Sequence, residues 1–86
     1  GDPALLGARG ALLVDLGRYA EARQDLSASL RQLGWNADRL LQLARACEGR
    51  GDKAGAAKIA GALAAEPERL TAAQKRQLAE LRQRLR

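Results

Sequence analysis

Leucine and alanine recur at three- and four-residue intervals along most of the chain, and glycine or proline interrupts them at regular distances. That spacing gathers apolar side chains on one face of a helix. Asp2 followed by Pro3 is a good helix start, a capping side chain before a first-turn proline. Leu6, Leu13 and Leu16, with small Gly10 between them, predict a first helix that Gly17-Arg18 breaks. A second runs from Tyr19 to Leu33 through Ala22, Leu26 and Leu30, and Gly34 is placed to stop it. Asn36 can cap a third, and Trp35 with Leu40 has the spacing of a hydrophobic staple around that cap. The third helix uses Leu40, Leu43, Ala44 and Cys47 and ends at Gly49-Arg50-Gly51. A fourth covers about residues 53–65 and is closed by Glu66-Pro67, because proline disfavours helix in the residue before it. Thr71 and Gln74 make a capping box for a last helix carrying Leu78, Leu81 and Leu85. The expected organisation is one all-α domain over residues 1–86, five helices joined by short loops.

The pattern repeats. Gly17-Arg18-Tyr19-Ala20-Glu21-Ala22 and Gly51-Asp52-Lys53-Ala54-Gly55-Ala56 lie 34 residues apart. Under the same shift Leu6 meets Leu40, Gly10 meets Ala44, Leu13 meets Cys47 and Ala22 meets Ala56. Helix pairs this short cannot bury their apolar faces alone, so neighbouring pairs stack, with small residues where helices approach most closely. A helix–turn–helix period of 34 resembles the tetratricopeptide repeat family, over about residues 3–70. The first repeat would run over 3–36 and the second over 37–70, with a capping helix at 71–86. The turn and second helix of repeat one match in Gly17, Tyr19, Ala22, Leu26 and Leu30, while Arg9 departs from an apolar position. Repeat two matches in Leu40, Leu43, Ala44, Cys47, Gly51 and Ala56, with Pro67 near the family's closing proline. Its departures are Lys53 for an aromatic residue and Ala60 for a bulky one, which should thin the packing and let the last helix come closer.

The resemblance implies a right-handed α-solenoid and a protein-interaction scaffold. The first helix of each repeat would line a concave groove, here Ala8, Ala11, Val14 and Asp15, then Leu41, Gln42, Arg45 and Glu48. Such a groove is apolar in repeat one and polar in repeat two. It suits a helix or extended peptide of a partner protein, with small apolar residues and an acid near Arg45. Relatives that clamp a C-terminal carboxylate use Lys and Asn where this chain has Gly7 and Ala11, so that activity is not expected. The alternative role is structural: an end-cap or self-association module of a longer solenoid, pairing through the last helix or exposed apolar faces.

Composition narrows the chemistry. Of 40 apolar residues, 19 are Ala and 16 are Leu, which leaves too few β-branched and aromatic residues for a sheet. There is no His to act as a base or metal ligand, and the single Cys47 falls on an apolar stripe. The nucleophiles Ser27, Ser29, Thr71 and Tyr19 have no base to activate them. No enzyme, metal or cofactor is expected. Arg50-Gly51-Asp52 spells an adhesion tripeptide, but the repeat already requires its glycine for the turn. The glycines around Lys53 follow no strand and lack phosphate-loop spacing. Net charge is +5, of which residues 75–86 supply +4, so the basic character belongs to the last helix. No aromatic residues interleave with those charges, so neither nucleic acid nor a membrane is the expected partner. Trp35 reads as a packed staple rather than an exposed anchor. The absence of Met and the Gly1-Asp2-Pro3 start point to a piece of a larger protein, and the excess of Arg and Ala points to a GC-rich bacterial genome. No targeting segment is legible, which leaves cytoplasm and periplasm open.

Overall fold

A computed structural model describes residues 2–86, and among these the chain is helical with no strand. The helices are α1 (Pro3–Asp15), α2 (Tyr19–Leu33), α3 (Ala37–Gly49), α4 (Lys53–Ala64) and α5 (Ala72–Arg84), with a 3-10 turn at Pro67–Arg69 before α5. The caps expected at Asp2, Asn36 and Thr71 form: Asp2 and Asn36 accept backbone N–H groups from Ala4 and Arg39, and Thr71 and Gln74 close both bonds of their capping box; Asp52, not expected as a cap, accepts from Gly55. Asp52 of the adhesion-like tripeptide is thus the cap of α4. The 3-10 turn had no counterpart in the apolar spacing.

The 34-residue period is present in the backbone itself. The N–H of Arg18 donates to Leu13 and that of Gly17 to Val14. One period later Asp52 donates to Cys47 and Gly51 to Glu48. Both turns are Schellman closures, in which the glycine must adopt positive φ, 76° at Gly17 and 83° at Gly51. They reverse the chain the same way, so α1 lies against α2 as α3 lies against α4.

Side-chain bonds fix the directions. The Ser29 hydroxyl, near the end of α2, donates to the Pro3 carbonyl at the start of α1 (2.7 Å), so that pair is antiparallel. Gln74 donates to Asp38 (2.9 Å) and Arg84 to Glu48 (2.9 Å), start to start and end to end. Thus α5 runs parallel to α3. Arg39 of α3 covers Gly7 near the start of α1 and Arg45 reaches Asp15 at its end, so α1 is parallel to α3 as well. Three helices therefore lie side by side in one direction, with α3 in the middle.

The core has two linked parts. Leu13, Val14, Ala22, Leu26 and Ala46 form one, and Leu41, Ala44, Cys47, Ala56, Ala60, Leu63, Leu78 and Leu81 dominate the other. Small residues sit at the close approaches: Ala22, Ala44 and Ala56 are fully enclosed. A Cβ at Gly10 would lie 2.6 Å from Leu26 Cγ. One period on, Ala44 and Ala60 replace that Gly–Leu pair, and α5 delivers Leu78 and Leu81 to the same cluster.

Several sequence expectations need correction. Leu16 and Leu33, assigned to apolar stripes, are 62% and 52% exposed, because each lies at a helix end beyond the reach of its neighbour. Leu40 and Leu43 are half-buried whereas Leu41 and Ala46 are buried. The reason is that α3 is flanked by four helices and buries a wider arc than one stripe. Arg9 is accommodated by donating through Nε (2.5 Å) and Nη2 (2.9 Å) to the buried carboxylate of Asp25. Trp35 packs with Leu40 against the second cluster, and the Arg69 guanidinium lies 3.7 Å from its ring centroid.

Candidate binding groove

Because α1, α3 and α5 are parallel, the surface they share is a trough with α3 as its floor. Towards the C-terminal end of α3 it deepens into a cavity of about 660 Å3. Val14, Leu41, Gln42, Arg45 and Glu48, all expected from the sequence, line it. Towards the N-terminal end a cavity of about 400 Å3 is lined by Ala8, Ala11 and again Gln42. Asp15 stands beside Arg45, with Nη2 to Oδ1 at 3.8 Å. Seven of the eight therefore border one cavity or the other, and Asp15 lies outside both linings. Two play a smaller part than expected: Val14 and Leu41 are 3% and 4% exposed, so they supply the apolar bed and little more.

The opposite wall was not read from the sequence. Gln77, Glu80, Leu81 and Arg84 of α5 line the deeper cavity, and Gln77 borders the shallower one too. Arg84 stays 48% exposed, yet its Nε and Nη2 both donate to Glu48 across the trough, and this pairing raises the Arg84 pKa. Tyr19 closes the end of the cavity by laying its ring over Gly49, where any side chain would collide with it. A hint of this was available, since Gly49 precedes the turn without being part of it.

Charge in the trough is balanced but unequally committed. The Arg84–Glu48 pair is close and its carboxylate is only 26% exposed, whereas Arg45 and Asp15 are 46% and 66% exposed at long range. Arg45 also donates to Gln42 at 3.3 Å. An exposed pair of that length contributes less than about 1 kcal/mol, so the Arg45 guanidinium can be taken over by an incoming carboxylate at small cost. Outside the trough, Cys47 is buried on α3 and desolvation pushes its thiol pKa up. Among the described residues no cluster of Cys, Asp or Glu could hold a metal ion, and no helix is long and apolar enough to cross a membrane. Comparison with family models, curated proteins and solved structures finds no match to this chain.

Proposed function

We propose that the chain is a protein-interaction scaffold of the tetratricopeptide-repeat kind, holding a segment of a partner protein in the trough between α1 and α5. One observation carries the reading. Seven of the eight residues singled out by the 34-residue repeat border one or other cavity of the trough, and the eighth, Asp15, pairs with Arg45, a clustering that supports the reading. The paired Schellman turns support the repeat, and the parallel α5 supports its role as a third first-helix that closes the stack. The bound segment meets small apolar residues at Ala8 and Ala11, amides at Gln42 and Gln77, and a guanidinium at Arg45. It is therefore short-chained and uncharged at one end and carries a carboxylate at the other. No catalytic step is part of the proposal.

Selection of peptides from a random library on the immobilised chain, followed by titration, tests it. Binders enriched in an acid after small apolar residues are expected. Arg45→Glu should weaken them about tenfold or more, roughly 1.4 kcal/mol, with an unchanged melting temperature. Peptides indifferent to both Arg45→Glu and Gln42→Ala would refute the groove as the site.

A further inference from the structure

The deep end of the trough is lined by four charged side chains, Arg45, Glu48, Glu80 and Arg84. Two of them satisfy each other, since Glu48 takes the Nε and Nη2 bonds of Arg84. Two charges of opposite sign are left over. Arg45 has only its long, exposed pair with Asp15 and a bond to Gln42. Glu80 has less: among the described residues it accepts no hydrogen bond and forms no ion pair, because Arg84, one turn further on, turns to Glu48. Arg84 still feels the Glu80 charge through space, but the contacts it makes are with Glu48.

The packing of α5 sets the two remaining charges level with each other. Gln74 bonds Asp38 and Arg84 bonds Glu48, an offset of 36 residues at both ends, so Glu80 stands level with Ala44. That is one residue before Arg45, about 1.5 Å along the helix axis. Arg45 belongs to the floor and Glu80 to the α5 wall of one cavity, which is bedded on Val14, Leu41 and Leu81 and stopped by the Tyr19 ring. The lining comes from α1, α2, α3 and α5, so the cavity lies between helices of the stack and not on an outer face.

We infer that this cavity selects an acidic and a basic residue placed next to each other in the bound segment, the acid on Arg45 and the base, lysine or arginine, on Glu80. This rests on the trough being the binding site, and adds a second charge to the guest. In extended chain successive side chains point to opposite sides at about 3.3 Å per residue. Two sides of a cavity charged at one level are therefore met by neighbours in sequence, not by residues two apart. The stem of a basic side chain suits the apolar bed, since lysine and arginine lay their methylenes on apolar surface while the head reaches a charge. Two acids would set one of them against Glu80, and two bases would set one against Arg45.

Titration of the full chain with capped six-residue peptides tests this. Acetyl-Ala-Ser-Ala-Asp-Lys-Ala-amide and its Lys-Asp counterpart present the pair in both orders, and a control for each carries Gln in place of Lys. At low salt the better-ordered pair should bind about two- to fivefold tighter than its control, the range of a partly exposed ion pair, and salt should erode the margin. Glu80→Gln should bring the two to equal affinity, and Glu80→Lys should reverse their ranking, with the melting temperature unchanged in both variants. A control as good as the paired probe, or a preference that survives Glu80→Gln, overturns the inference, and the groove itself still stands if the same probes are weakened by Arg45→Glu. Probes indifferent to Arg45→Glu, or no binding by any of them, refute the groove and this inference together.

Discussion

Arg9 and Asp25 show how a misplaced residue is made to fit. In the repeat pattern position 9 calls for an apolar side chain, yet the guanidinium reaches a carboxylate that α2 buries nearby. The bonds to Arg9 hold the Asp25 carboxyl below its ordinary range against the opposing effect of burial. A carboxyl with a lowered folded-state pKa stabilises the fold fully above its unfolded value of about 3.9 and loses that contribution as pH falls through the folded value. Acid titration of stability should therefore lose part of its steepness in Arg9→Gln, measured as melting temperature between neutral pH and about pH 3. The close approaches make a second prediction. Ala22 has no exposed surface, so Ala22→Leu overpacks the contact of α2 with α1 and α3 and should cost about 1–3 kcal/mol. In a domain of this size that lowers the melting temperature by at least about 4 °C.

Among the elements, α5 has the most to do and the least periodicity to announce it. Its apolar residues cover Leu63 and Ala60 of α4, while Gln74 and Arg84 register it on α3. Leu81 is 1% exposed, and Leu81→Ala should cost about 2–5 kcal/mol. Arg84→Gln removes a partly exposed ion pair and should cost less than about 1 kcal/mol, so thermal melting of the two variants separates packing from pairing. Removing residues 71–86 should leave a chain that binds hydrophobic dyes and aggregates, because Leu63 loses its cover.

How far the sequence could be read follows from the same contrast. Helices α1 to α4 carry local signals at their ends, a capping side chain or a stop glycine, and their two copies reinforce one another. Their limits, turns and small-residue contacts were therefore legible, and so was the side of α1 and α3 that carries the cavity-lining residues. The position of α5 as the cap over α4 was legible in Leu78, Leu81 and Leu85, but its register on α3 was not, because it has no second copy for alignment. Its 36-residue offset from α3 is set by the pairs 38–74 and 48–84 rather than by the period. Gln77, Glu80 and Arg84 were missed as a wall for that reason. Leu41 and Ala46 were underrated because a stripe of one helix says nothing of how many neighbours surround it.

At the scale of the whole molecule, charge and shape are separated. The basic excess rides on α5, while in the trough Glu48 pairs with Arg84 and Asp15 with Arg45, so on the proposed function a partner is not gathered by bulk attraction but sorted at contact. The trough also has a length. Three parallel helices of 13 residues each give it about 20 Å at 1.5 Å per residue, the span of about six residues of extended chain. On the proposed function the trough is then a ruler as well as a receptor. Shortening a bound extended peptide should leave its affinity unchanged until about six residues remain and reduce it with every residue removed after that, whereas a helical ligand would begin to lose affinity at about thirteen. The break point in such a truncation series reports the conformation of the guest without a structure of the complex.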